Sequence, residues 1–353
     1  MMFDPSAPVP PEELFRLDDP QTGLSGVIVI HSTALGPAAG GCRFHCYPGD
    51  ADAVADALRL AEGMSRKNAL AGLPLGGGKA VVRVPDGPFD RVALFRAFGR
   101  AVAALGGRYV TAEDVGTRVA DMQSVADVTR HVAGLPAMAG AVGGDPSPWT
   151  ALGVLRAMEV AVARHLDATL SDVTVAVQGL GHVGFALCEL LHAAGARLIV
   201  AEPRAEVAAE AARRFGATVV GSTDLVAAEA DVFAPCALGG VLDAKAVQRL
   251  RATVVCGAAN NQLATPAQGD ALLARGILYA PDYVVNAGGI INVAAEYLGW
   301  DPEEARSRVE ATGERLAAVL DHAAAERMAP HRAADQLARI AITRAHRQPD
   351  LAA

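Results

Sequence analysis

"VTVAVQGLGHVGFALCELLHAAGARLIVAEP", residues 173–203, decides the fold. Its first six residues are apolar and β-branched enough to read as a buried strand over 173–178. The strand runs into Gly179-x-Gly181-x-x-Gly184, then helical apolar spacing, then a second strand ending at Glu202, 23 residues after Gly179. A bare G-x-G-x-x-G says little. Placed between strand and helix, with an acid at that distance, it has the context of a dinucleotide-binding βαβ unit. Gly179 makes the tight turn, Gly181 lets a pyrophosphate approach the backbone, and Gly184 lets helix and strand pack closely. Leu180, His182 and Val183 complete the loop, and the helix N-terminus offers N–H donors and partial positive charge to phosphate. Glu202 would accept from ribose hydroxyls, which favours NAD over NADP because a 2′-phosphate would meet a carboxylate. Arg204, two residues on, offers a cation to such a phosphate and pulls the other way. The plain alternative is a βαβ unit without a nucleotide.

Downstream, "DVFAPCA", "ATVVCGAANN" and "ILYAPDYVVNAGG" read as further buried strands ending in loops. Ligands of an open α/β sheet bind at the carboxyl ends of strands, where Asn260, Asn261, Asn286 and Gly288-Gly289 are expected. The segments "DPEEARSRVEATGERLAAVLDHAAAERM" and "PHRAADQLARIAITRAH" read as helices. Upstream, Pro146-Ser147-Pro148 marks a turn before a long helix opened near Thr150. Still earlier, strands are expected at 26–34, in "KAVVRVP" and at 108–117, with helices at 51–72 and 91–107. The whole is an α/β chain of two domains separated by a cleft. Residues 1–145, with 328–353 packing back on them, are expected as an N-terminal α/β substrate domain, and 146–327 as the Rossmann-type domain.

The bulk properties set bounds. The chain has 353 residues, is 52% hydrophobic and 20% charged, and carries a formal net charge of −8. That suits a protein with a sizeable core and disfavours nucleic acid and anionic membranes as partners. The five cysteines form no C-x-x-C, and Cys42-Arg43-Phe44-His45-Cys46 has no second Cys/His cluster to complete a metal site. They are expected as free thiols in a reducing compartment. "MMFDPSAPVPPEELF" lacks the basic and apolar regions of a signal peptide. No apolar run reaches about 18 residues. A cytoplasmic protein with no bound metal is expected.

"GLPLGGGKAVV", residues 72–82, raises the question of chemistry. A Walker-type loop needs a hydroxyl after the lysine, and Ala80 stands there. Two readings remain: a glycine-rich turn ending in a solvated lysine, or the seat of a catalytic amine. A cofactor domain implies hydride transfer, so the first domain should carry substrate and proton chemistry. Its candidates are Lys67, Lys79 and Asp114. If both lysines faced one cleft, repulsion and burial would lower the amine pKa of one and fit it to act as a base.

"MSRKNALAGLPLGGGKAVV", "GGRYVTAEDVGT", "VQGLGHVG", "APCALGG", "CGAANNQLA" and "APDYVVNAGGIINVA" resemble, in order and across residues 25–300, the leucine/valine/phenylalanine dehydrogenases of the glutamate dehydrogenase superfamily. By that resemblance Lys79 would activate water, Lys67 would bind the α-carboxylate with help from backbone at Gly40 and Gly41, and Asp114 would handle the amino group and proton transfer. Asn261 would contact substrate and Asn260 the nicotinamide end of NAD. The glycines before Lys79 would leave room for substrate. The implied reaction is reversible NAD-dependent oxidative deamination of an L-amino acid to its 2-oxo acid and ammonia, by a homo-oligomer.

Relatives acting on glutamate carry a lysine where this chain has Ala39. Burying an unpaired carboxylate costs several kcal/mol. Ala39, Ala112, Ile290 and Val293, which match the side-chain pocket of the apolar-substrate enzymes, therefore imply leucine, valine or isoleucine. A phenylalanine dehydrogenase and a catalytically silent NAD-binding regulator are the alternatives. Arg66, Asp145 and Cys42 depart from the family pattern without removing a presumed catalytic residue.

Overall fold

The computed structural model describes residues 10–136 and 142–347; the first nine residues and the end of the expected 328–353 segment lie outside them. The chain divides into two compact units: the described parts of Met1–Asp145, Asn292–Pro302 and Gln336–Ala353, and those of Pro146–Ile291 and Glu303–Asp335.

Unit 1 contains β1 (Glu13–Asp19), β2 (Leu24–Ser32), β3 (Ala38–Ala39), β4 (Cys42–His45), α1 (Asp50–Leu70), β5 (Gly76–Arg83), α2 (Arg91–Ala104), β6 (Tyr109–Val110) and α3 (Val119–Ala126). Its mixed sheet has the order β1-β2-β5-β3-β6, with β4 also paired to β5. Strand alternation sorts the core. Val27, Val29 and Val81 point to one face and pack under Ala53, Ala57 and Ala61 of α1, small residues spaced four apart. Ile28, Ile30, Ala80 and Val82 point to the other and pack with Leu94, Phe95 and Phe98 of α2 and Met122 of α3. Asp90 caps α2, accepting from the Ala93 N–H at 3.1 Å.

Unit 2 follows with α4 (Ser147–Leu166), β7 (Thr174–Gln178), α5 (His182–Ala193), β8 (Arg197–Ala201), α6 (Ala205–Phe215), β9 (Thr218–Val219), α7 (Ser222–Leu225), β10 (Val232–Pro235), α8 (Ala244–Arg249), β11 (Val254–Val255), α9 (Pro266–Ala274), β12 (Leu278–Tyr279) and α10 (Asp282–Val285). Then come α11 (Gly288–Leu298), α12 (Pro302–Glu310), α13 (Thr312–Glu326) and α14 (Pro330–Arg347). The sheet runs β12-β11-β10-β7-β8-β9 with every pairing parallel. Strand order reverses on either side of β7, the switch point of a doubly wound fold.

Three expectations are corrected. Gly76-Gly77-Gly78 are not a turn: they are the first residues of β5, paired with Ala38, Ala39 and Ile30. "DYVVN" is not strand but α10 and its C-terminal cap, and Gly288-Gly289 open α11. Pro146-Ser147-Pro148 is no separate turn, because α4 already starts at Ser147 with Pro148 in its first turn. Both α11 and α14 are shared between the units, changing over at 291/292 and 335/336. No helix among the described residues is long and apolar enough to cross a membrane.

Candidate active site

Lys79 lies on β5 beside Val81, with alternation turning it to the α1 side of the sheet. It is 5% exposed. Its Nζ meets Asp114 Oδ2 at 2.9 Å. Asp114 follows β6 and is fixed by its own turn. Its N–H donates to Thr117 Oγ1 at 2.8 Å, and the Thr117 N–H donates to its carbonyl at 3.1 Å. Arg43 of β4 reaches the same carboxylate, Nε to Oδ2 at 3.0 Å. Burial is the largest single influence on Asp114 and pushes its carboxyl up; Lys79 and Arg43 together outweigh it and hold the group below its ordinary value. Arg43 and its anchors were missed in the sequence, where no short motif joins residues 43 and 114.

The three glycines before Lys79 make room for the protein, not for a substrate. A Cβ on Gly76 would sit 1.9 Å from the Ser32 carbonyl oxygen, on Gly77 2.1 Å from the Ser65 nitrogen of α1, and on Gly78 2.9 Å from the Tyr109 ring. Gly40 and Gly41 are equally confined, by the carbonyls of Gly78 and Glu113. The Gly40 N–H donates to Val110 O at 3.2 Å, which leaves Gly41 as the backbone donor of the pair for a carboxylate. Lys67 sits half-buried in the last turn of α1. The adjacent Asn68, fully buried, ties that turn to the sheet through Nδ2, 2.5 Å from Gly76 O. Ala39 and Ala112 are buried in unit 1, while Ile290 and Val293 are half-buried one turn apart on α11.

In unit 2 the three glycines of the fingerprint differ physically. Gly179 has φ +87°, where a side chain is strained, and a Cβ there would meet Ala237. A Cβ on Gly184 would sit 2.0 Å from the Gly179 carbonyl oxygen. A Cβ on Gly181 would meet nothing within 4 Å. Gly181 therefore caps α5 with open space before it, and the first-turn N–H groups of His182, Val183 and Gly184 have no partner within the helix. This cradle fits a dinucleotide pyrophosphate. Leu180 is not a donor to it, because its N–H already goes to Glu202 Oε2 at 2.7 Å.

Glu202, its side chain 6% exposed, takes the Arg204 N–H and Nε on Oε1 at 3.1 and 2.7 Å. Arg204 Nη2 also donates to Leu180 O at 3.1 Å. The Arg204 guanidinium, with help from the Leu180 N–H, holds the Glu202 carboxyl down to about 2. Asn261 adopts φ +52°, with its N–H on Asp282 Oδ2 at 2.5 Å. Asn260 Oδ1 accepts from Asn286 Nδ2 at 2.9 Å. Among the described residues no group of His, Cys, Asp and Glu could hold a metal ion.

The model for the Glu/Leu/Phe/Val dehydrogenase dimerisation domain matches residues 11–131, and that for Glutamate/Leucine/Phenylalanine/Valine dehydrogenase matches 199–349. A leucine dehydrogenase of Geobacillus stearothermophilus is 45% identical over 96% of this chain and 93% of its own length. A valine dehydrogenase of Streptomyces albus is 48% identical over 95% and 94%. Among solved structures, L-tryptophan dehydrogenase from Nostoc punctiforme superposes with a TM-score of 0.86 at 38% identity, covering 96% of this chain and 98% of that one.

Proposed function

The chain belongs to the glutamate/leucine/phenylalanine/valine dehydrogenase family, an amino acid dehydrogenase acting on CH–NH2 donors with a nicotinamide cofactor, and from that premise we propose that Lys79 and Asp114 carry the reversible oxidative deamination of aliphatic L-amino acids with NAD. The observation that carries this reading is the buried Lys79–Asp114 pair, 2.9 Å apart.

The Gly179–Gly184 loop and the N-terminus of α5 would hold the nicotinamide cofactor, which when bound would supply the hydride acceptor for the substrate α-carbon. Every other step falls to this chain's own groups. The ionised Asp114 carboxylate takes a proton from the substrate ammonium, freeing the amine from whose α-carbon hydride leaves. After hydride loss leaves an iminium on the substrate, Lys79, as the amine, takes a proton from the water that adds to that carbon. Asp114 returns that proton to the nitrogen, the C–N bond breaks to release ammonia, and the hydroxyl proton passes to the Asp114 carboxylate as the carbonyl forms. Lys67 pairs with the substrate α-carboxylate and Gly41 donates its N–H to it. Asn261, fixed by Asp282, contacts the substrate, and Asn260 the nicotinamide end of the cofactor.

Two features support the finer choices. Arg204 is turned onto Glu202 and Leu180 O instead of outward, and Glu202 keeps its negative charge with one acceptor position left on Oε2. A ribose hydroxyl suits that carboxylate and a 2′-phosphate does not, which supports NAD. Ala39, Ala112, Ile290 and Val293 offer no charge to a side-chain carboxylate, which supports an apolar substrate and disfavours glutamate. Apolar contacts separate homologues by only about 1–3 kcal/mol per methylene, so leucine, valine and isoleucine should overlap. We place the working form as a homo-oligomer.

The test is reduced-cofactor formation with L-Leu, L-Val, L-Ile, L-Phe and L-Glu, each with NAD and NADP. Turnover of the three aliphatic substrates with NAD is expected. A preference for phenylalanine would move the assignment to the aromatic branch. NAD binding without turnover of any of them would point to the silent regulator.

A further inference from the structure

Asp114 is held by two cations, and only Lys79 has a part in the chemistry above. The second, Arg43, donates through Nε to Oδ2 at 3.0 Å, the same oxygen that Lys79 meets at 2.9 Å. Neither bond takes Oδ1. Arg43 is itself braced: Nη1 donates to Asp56 Oδ2 at 2.9 Å, and Asp56 accepts from Tyr47 OH at 2.7 Å and from Arg59 Nη2 at 2.7 Å. Arg43 and Asp114 side chains are only 20% and 23% exposed, so solvent screens their pairing incompletely.

We infer that Arg43 is a positioning residue that keeps Asp114 ionised until the substrate nitrogen gives it a proton, with Oδ1 presented to that nitrogen, while Lys79 alternates between ammonium and amine. The inference rests on the reading of Lys79 as the base. A carboxylate paired with one lysine loses its counter-charge whenever that lysine gives up its proton, and burial then favours the neutral acid. A neutral Asp114 could not accept from the substrate nitrogen. A guanidinium does not titrate in this range, so the second bond persists through the cycle. The other titratable groups acting on Asp114 cannot replace it. Cys42 of β4 and Tyr109 of β6 are both buried, and burial pushes thiol and phenol up, leaving them neutral. Arg91 and Asp121, near Cys42, pair with each other at 2.6 Å.

The first measurement follows the Asp114 carboxyl by 13C NMR, independent of turnover. In Lys79→Ala, which imitates loss of the lysine charge, Asp114 should stay ionised at neutral pH. Adding Arg43→Gln should raise its titration midpoint by about one pH unit or more; an unchanged midpoint overturns the inference. The second measurement is kinetic. Arg43→Gln should lower kcat about tenfold or more and move the acid limb of kcat/KM to higher pH, with KM for NAD unchanged. Arg43→Lys, which keeps a cation, should restore the limb. A fall in kcat with the limb in place would make Arg43 merely structural and overturn the inference. If Arg43→Gln does not fold, Asp56→Asn, which loosens the brace, should give the same shift in smaller measure, and an unmoved profile there counts against the inference. Retained turnover in Lys79→Ala alone would strike the base assignment instead, so the two failures are distinct.

Discussion

At the scale of single residues, charge is placed where burial makes it consequential. Glu202 accepts from the Leu180 N–H of the fingerprint loop while Arg204 donates to the Leu180 carbonyl. The Arg204 guanidinium brings the Glu202 carboxyl to about 2 from an ordinary 4.5. Since the folded value lies below the unfolded one, this carboxylate contributes stability above pH 4.5 and loses it as pH falls toward 2. The gap in thermal midpoint between wild type and Glu202→Gln should therefore narrow as pH falls through that window. A constant gap would mean that the charge of Glu202 does not hold the loop.

At the scale of elements, β5 explains why three glycines precede Lys79. The sequence shows the glycines but not their neighbour, because Ser65 lies 12 residues earlier on α1. Close approach of α1 needs a strand without side chains at this point. Gly77→Ala should cost about 2 kcal/mol or more by overpacking against backbone. Gly63→Ala, on the open face of α1 where a Cβ meets nothing within 4 Å, should add about 0.5–1 kcal/mol. Urea midpoints check both, and equal effects at the two sites would contradict this packing. The fingerprint loop was legible because strand, glycines, helix and acid are contiguous. The helix over "DYVVN" was not: its β-branched residues favour strand locally, and the Asp282 side chain bonded to the Asn261 N–H is a tertiary contact.

At the scale of the whole molecule, the proposed chemistry is divided: Lys79 and Asp114 lie in unit 1, and the Gly179–Gly184 loop and Glu202 in unit 2. The α/β class, the parallel sheet of unit 2 and the Lys79 and Asp114 candidates were readable from periodicity, glycine spacing and the family resemblance. Arg43, Asp56 and Tyr47 were not, because bonds spanning 71 and 13 residues leave no local pattern. Because the cradle lies in unit 2, a change at Lys79 should separate binding from turnover. The decisive measurement is steady-state oxidation of L-leucine by Lys79→Ala, alongside its NAD dissociation constant. Turnover is predicted to fall about a thousandfold or more with NAD affinity unchanged; turnover near that of the wild type would contradict the assignment of Lys79 as the base.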